Sequence, residues 1–100
     1  MALETYPFDA AAYLDSPEAQ AELLADAFET GDATYIADAL GVVARARGMS
    51  QIARDAGVTR EALYKSLSKD GDPRLTTLLG VTKALGMKLR VSAADDTTPA

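Results

Sequence analysis

The chain has 100 residues, 48% of them hydrophobic, which suits one domain with a modest core rather than two domains. It contains no cysteine and no histidine, and this excludes disulfides, thiol nucleophiles, the usual nitrogen and sulfur zinc sites and imidazole catalysis, so we expect no enzymatic activity, cofactor or metal. The formal charge is −5. No apolar run approaches the roughly 20 residues that cross a bilayer, and no secretory signal is recognisable. We therefore expect a cytoplasmic protein with no membrane partner.

The charges are divided unevenly along the chain. Residues 1–41 contain nine acidic side chains and no lysine or arginine, whereas residues 42–75 carry a net charge of +3 and the remainder +1. Solvated helices can acquire charges of either sign by chance, but so long an acidic stretch indicates two surfaces with different partners.

Residues 1–16 are expected to form an N-terminal extension. Within it, residues 3–8 could form a strand, which Pro7 would restrict to the edge of a sheet because proline lacks an amide hydrogen.

A first helix is predicted over residues 17–30. Ser16 can accept a hydrogen bond from a free backbone amide, and Pro17 occupies a position where its missing amide hydrogen is tolerated. The side chains expected to be buried are Ala21, Leu24, Ala27 and Phe28.

A second helix is predicted over residues 33–47. Gly31 ends the first helix, Asp32 caps the second, and Gly48 terminates it. Apolar side chains at spacings of three and four residues predict that this helix faces the core. They are Ile36, Ala39, Leu40 and Val43.

Two short helices are expected to follow. Ser50 predicts the cap of a helix over residues 51–56, which Gly57 ends, and Thr59 predicts the cap of a helix over residues 60–68.

A fifth helix is predicted over residues 74–85, because Asp72 and Pro73 form a second combination of cap and proline. The leucines expected to face inward are Leu75, Leu78, Leu79 and Leu85.

After Gly86 the apolar period changes to two, which predicts a short strand over residues 87–92. Such a strand needs a partner, either residues 3–8 or the equivalent segment of a second subunit. We expect residues 93–100 to form a disordered tail.

Residues 50–68 fit a helix-turn-helix. Ala53 is small where two helices would cross, Gly57 provides the turn, and Val58 fills the angle between the helices. On the fourth helix, Leu63 and Leu67 are expected inside together with Ala62.

The opposite side of the fourth helix is predicted to enter the major groove of DNA, although charged helix faces are often only solvated surface. Arg60 could bind guanine and Glu61 could accept a hydrogen bond from cytosine. The predicted base contacts are Thr59, Arg60, Glu61, Tyr64 and Lys65. The predicted phosphate contacts are Ser50, Gln51, Arg54, Lys69 and Arg74.

Four stretches resemble the probable addiction module antidote protein family, and the similarity extends over about residues 5–92. They are FDAAAYL (8–14), LGVVARARGMSQIAR (40–54), TREALYK (59–65) and LGMKL (85–89). The resemblance implies a HigA-like antitoxin with an Xre or lambda-repressor-like helix-turn-helix. It also implies that the protein binds a cognate toxin of the RelE/ParE superfamily and represses their shared operon as a dimer.

We therefore expect an all-α fold, a five-helix lambda-repressor-like DNA-binding domain over residues 17–92 with a short C-terminal strand. A homodimer would read a palindromic operator. The residues expected at the dimer contact are Leu79, Leu85, Leu89 and Val91.

Acidic side chains of the first helix and its flanks could bind the toxin, because a toxin that handles RNA needs a basic surface. They are Asp15, Glu18, Glu22, Asp26 and Glu29. A stand-alone Xre-type regulator without a toxin partner is the alternative function, and a helical adaptor that no longer binds DNA is a third.

Overall fold

The computed structural model describes residues 16–94, and within that range it contains five α-helices and no strand. None of these helices combines the length and apolarity needed to span a bilayer. The expected extension over residues 1–15 and the end of the expected tail, residues 95–100, lie outside the described residues. The helices are α1 (Pro17–Thr30), α2 (Ala33–Arg47), α3 (Met49–Ala56), α4 (Arg60–Ser66) and α5 (Leu75–Ala84).

Local capping sets the boundaries of the first two helices, as predicted. The Ser16 hydroxyl accepts from the backbone amide of Ala19 at 3.1 Å. A carboxylate oxygen of Asp32 accepts from the amides of Thr34 and Tyr35 at 3.0 and 3.3 Å. These bonds satisfy amides that have no partner within the helix.

Two predicted caps are wrong. The helix α3 begins at Met49, directly after Gly48, so Ser50 lies inside its first turn and no side chain caps it. The helix α5 begins at Leu75, and its N-cap residue Arg74 makes no side-chain cap bond. Asp72 lies two residues before Arg74, the N-cap position, so it is outside α5 and does not cap it.

The fourth helix is shorter than predicted. It ends at Ser66, because Leu67 leaves the helical conformation with φ −100° and ψ 57° while its side chain remains fully buried.

The core lies where all five helices meet. The helix α3 packs against α2, α4 and α5, and α1 packs against α2. The buried cluster consists of Leu24, Ala27, Ala39, Leu40, Val43, Ala44, Met49, Ile52, Ala53, Leu63, Leu67, Val81 and Leu85. Phe28 and Ile36 are partly buried against it, whereas Ala21 is exposed, contrary to expectation.

Gly41, in the middle of α2, permits the close approach of the chain at the end of α4. A Cβ added at Gly41 would overlap the backbone carbonyl oxygen of Leu67. The two segments therefore pack closely because the side chain at position 41 is a single hydrogen.

The expected orientation of α5 is only partly correct. Leu85 is buried and Leu78 packs against the core, but Leu75 is 67% exposed and Leu79 is 47% exposed. Leu79 lies about 100° around the helix from Leu78, which packs against the core, and Leu75 is the first residue of α5.

The predicted C-terminal strand is not seen in the described residues. The backbone amide of Met87 donates to the carbonyl of Thr82 at 2.9 Å and closes the end of α5. Residues 87–94 then continue without regular structure, because a strand exists only through hydrogen bonds to a neighbouring strand and residues 16–94 supply none. One predicted partner, residues 3–8, lies outside the described range.

Candidate nucleic-acid interface

The connection between α3 and α4 is a tight turn of three residues. Gly57 has φ 78°, which a side chain disfavours, and its amide donates to the carbonyl of Arg54 at 3.2 Å. The amide of Val58 donates to the carbonyl of Ala53 at 3.0 Å, and the Val58 side chain is partly buried against the core. The roles predicted for Gly57, Val58 and Ala53 are consistent with this geometry.

The helix α4 is fixed at its start and on its inner side. The hydroxyl of Thr59 accepts from the amide of Ala62 at 3.0 Å, so the predicted cap is confirmed. Leu63 and Leu67 are fully buried, whereas Ala62 is exposed, contrary to the expectation that it faces inward.

All five residues predicted to contact bases have exposed side chains on or next to α4. The guanidinium of Arg60 lies over the Tyr64 ring, 5.1 Å from the ring centroid, and Arg60 Nη2 donates to the Tyr64 hydroxyl at 3.4 Å. Tyr64 is 39% exposed and so retains a free part of its surface. The residues are Thr59, Arg60, Glu61, Tyr64 and Lys65.

The residues predicted to contact phosphates are also exposed, in α3 and between α4 and α5. In α3, Gln51 and Arg54 belong to a side-chain network, because Arg54 Nη1 donates to Gln51 Oε1 at 3.1 Å and Gln51 Nε2 donates to Asp55 at 3.1 and 3.2 Å. Gln51 therefore holds Arg54 close to the N-terminal end of α3. The complete set is Ser50, Gln51, Arg54, Lys69 and Arg74.

The acidic residues predicted to bind a toxin form an exposed ridge along α1. Their spacings of four, four and three residues place them on one side of the helix. No group of acidic side chains within residues 16–94 could hold a metal ion. The acidic ridge consists of Glu18, Glu22, Asp26 and Glu29, and Asp15 lies outside the described residues.

The four residues predicted at a dimer contact differ in accessibility. Leu85 is 3% exposed and belongs to the core of the single chain. Leu79, Leu89 and Val91 are exposed, and Leu75 adds a further exposed side chain one turn before Leu79.

Sequence reasoning missed a polar contact that joins three parts of the fold. Gln20 is 1% exposed, and its Oε1 accepts from Arg47 Nη1 at 2.7 Å. Arg47 Nη2 also donates to the carbonyl of Leu85 at 3.1 Å, just after α5. The available signal was position: Gln20 precedes the buried Leu24 by four residues and thus lies on the apolar side of α1.

Comparison with known proteins identifies relatives over almost the whole chain. The family described as "Probable addiction module antidote protein" matches residues 4–93. A protein of Haemophilus influenzae that is described only as uncharacterized is 46% identical over 84 residues, which are 84% of this chain and 87% of that protein. No solved structure matches significantly.

Proposed function

Because the chain belongs to the probable addiction module antidote protein family, we propose that it is the antitoxin of a toxin-antitoxin module, with two binding activities and no catalytic one. In the first, it binds and neutralises a cognate toxin of the RelE/ParE superfamily. In the second, it represses its own operon as a cytoplasmic DNA-binding protein. The family description supports neutralisation of a cognate toxin, and the geometry of α3 and α4 supports the second activity.

The observation that carries the DNA-binding proposal is the division of α4 into a buried and an exposed side. Leu63 and Leu67 fix the helix to the core, while Arg60, Tyr64 and Lys65 extend into solvent. In a lambda-repressor-like helix-turn-helix, α4 would be the recognition helix, and the residues near its N-terminus would reach base edges in the major groove.

The cations around α4 would neutralise phosphates. Arg54, Lys69 and Arg74 are exposed on segments before and after α4, which is where a helix lying in the groove would bring the flanking backbone close. Phosphate contacts of this kind give affinity that falls steeply with added salt.

A homodimer would supply the two-fold symmetry that a palindromic operator requires. Leu75 and Leu79 lie one turn apart on α5 and expose apolar surface that a second copy could cover. Leu89 and Val91, on the C-terminal segment, are also exposed apolar side chains.

The acidic ridge of α1 is the proposed toxin-binding surface. A toxin that acts on RNA must present basic side chains, and carboxylates at matched positions would both attract it and discriminate against acidic proteins.

The deciding experiment combines purification with DNA footprinting. The chain is co-expressed with the neighbouring gene product, and the purified complex and the free chain are tested on the upstream promoter. We expect co-purification of a small basic protein and protection of a two-fold-symmetric site that weakens as salt rises. Promoter binding without any protein partner would favour a stand-alone Xre-type regulator, and partner binding without promoter binding would favour an adaptor.

A further inference from the structure

A groove of about 510 Å³ lies between α1 and the segment that follows α5. Its apolar lining includes Leu24, Ala25, Phe28, Met87 and Leu89. This volume falls within the range of roughly 300–1,000 Å³ that is typical of sites that bury a ligand. Within residues 16–94, nothing fills the groove.

The main chain along one wall of this groove also has unused hydrogen-bonding capacity. Among the described residues, the backbone of residues 88–94 forms no hydrogen bond to another backbone group. Met87 and Leu89 lie in this wall and Val91 follows just beyond it, so apolar residues of this segment recur with period two, as expected of a strand that buries one side. Both features suit an extended peptide lying alongside residues 87–91.

The length of chain before α1 is sufficient to supply that peptide. Fifteen residues precede Ser16, and an extended chain of that length spans about 50 Å. The helix α1 has 14 residues and is about 21 Å long, so the preceding segment can reverse direction and run its whole length.

The composition of this preceding segment complements the groove. Residues 1–15 contain three acidic side chains and no basic one, while Lys88 and Arg90 line the groove beside a single acidic side chain, Glu29. The segment also contains aliphatic and aromatic side chains that could enter an apolar groove. They are Leu3, Tyr6, Phe8, Tyr13 and Leu14.

The extent of the family match provides an independent argument. The match begins at residue 4, well before α1, so the family includes most of the preceding segment as well as the helices. We propose that residues 3–8 of the same chain fold back over the groove and pair with residues 87–91 as a two-stranded sheet. The N-terminal segment would then be a structural part of the domain that covers one side of α1.

Paramagnetic labelling tests this proposal, and the chain suits it because it contains no native cysteine. A nitroxide is attached to the variant Ser92→Cys, beside the groove, in isotopically labelled full-length protein. We expect the amide signals of residues 3–8 to lose intensity. The same label on Glu61→Cys, on the outward side of α4, serves as the control and should leave those signals unchanged.

Dilution distinguishes the same chain from a second copy. The labelled protein is mixed with a large excess of unlabelled wild-type chain. Signal loss that persists on dilution supports the proposal, because the nitroxide and the affected amides then belong to one molecule. Signal loss that disappears on dilution identifies a second copy as the occupant of the groove. No signal loss at all shows that residues 3–8 do not lie in the groove. Either result overturns the proposal.

A substitution in the groove provides a second measurement. Ala25→Glu places a negative charge where the acidic segment would lie, at an exposed helical position that tolerates glutamate. We expect the amide signals of residues 3–8 to regain their intensity in the Ser92→Cys background. The matched variant Ala33→Glu, at the start of α2 and away from the groove, should retain the signal loss.

Discussion

At the residue scale, the contact of Arg60 with Tyr64 restricts a long side chain before any DNA is present. The guanidinium lies over the ring and its Nη2 donates to the ring hydroxyl. A contact of this kind at an exposed site stabilises by about 0.5–1 kcal/mol. It therefore biases the Arg60 rotamer and, in the proposed DNA complex, would still allow the guanidinium to move onto a base.

Arg60→Ala is expected to weaken operator binding by about 1–3 kcal/mol and to relax the preference at one base pair, because a bidentate contact with guanine would be lost. Fluorescence anisotropy on the operator and on single-base variants measures both effects. Lys69→Ala is the control. It should weaken binding equally on every sequence and reduce the slope of log affinity against log salt concentration by about 1. An equal loss on all sequences for Arg60→Ala would instead assign Arg60 to a phosphate.

Gly41→Ala tests the close approach between α2 and the end of α4. Alanine normally stabilises an exposed helix position relative to glycine by about 0.5–1 kcal/mol. Here the added methyl group would overlap the Leu67 carbonyl, so we expect a loss of about 1–3 kcal/mol in the free energy of unfolding. Urea denaturation followed by circular dichroism measures it, and an unchanged or raised midpoint would contradict the packing at this position.

At the scale of elements, Arg47 connects helices that are distant in sequence. It donates to Gln20 on α1 and to the Leu85 carbonyl just after α5, where the free carbonyls of a helix end favour a cation. The position of α1 therefore depends on a polar contact as well as on apolar packing.

Gln20→Ala removes one acceptor of Arg47 from a buried position. We expect a loss of about 1–3 kcal/mol in the free energy of unfolding, because a buried polar partner is removed and packing volume is lost with it. Thermal or urea unfolding measures the change. Gln51→Ala, at an exposed position of α3, is the control and should shift the unfolding midpoint far less. Equal effects of the two variants would show that the contact with Arg47 contributes nothing to the free energy of unfolding.

The sequence predicts the features of this fold that arise from neighbouring residues. The caps at Ser16, Asp32 and Thr59 and the turn at Gly57 are correct because each depends on side chains within a few residues. The exposed face of α4 was predictable for the same reason, because helical period determines it once Leu63 and Leu67 face the core.

Several features that were wrongly predicted, missed or not seen within residues 16–94 depend on distant partners. Leu75 and Leu79 have the spacing of core residues, but both side chains are exposed because no other helix of the described chain covers them. The C-terminal strand needs a neighbouring strand, and the Gln20–Arg47 contact joins residues 27 positions apart. No local pattern contains that information.

At the scale of the whole molecule, the two proposed binding activities use different elements. The acidic ridge lies on α1, which packs against α2, and the proposed DNA-binding residues lie on and around α4, which packs against α3. The unequal distribution of charge along the sequence therefore places the acidic ridge and the proposed DNA-binding residues on different helices of the fold.

Reversing three charges of the acidic ridge tests the toxin-binding proposal. With Glu22, Asp26 and Glu29 all changed to Lys, we expect a lower association rate and weaker toxin affinity, most clearly at low salt, because electrostatic steering would be reversed. Surface plasmon resonance measures both. The matched control changes Asp38, Asp70 and Asp72 to Lys and alters the net charge by the same amount. Unchanged toxin binding by the variant with Glu22, Asp26 and Glu29 changed would show that the acidic ridge is not the contact.

Leu79→Glu tests whether α5 forms the dimer contact. A charge placed in an apolar interface should dissociate the proposed homodimer, while the stability of the single chain changes little because the side chain is already 47% exposed. Sedimentation velocity measures the mass. Thr76→Glu, also exposed on α5, is the control, and an intact dimer in Leu79→Glu would place the contact on another surface.

The brevity of α4 has a consequence for when the proposed DNA-binding surface exists. Seven residues are well below the length of about 12–15 at which an isolated helix persists in water, so α4 is helical only while the core around Leu63 and Leu67 remains intact. Loss of tertiary structure should abolish operator recognition in the same transition. A melting curve recorded by anisotropy of bound operator should therefore coincide with one recorded by circular dichroism of the complex.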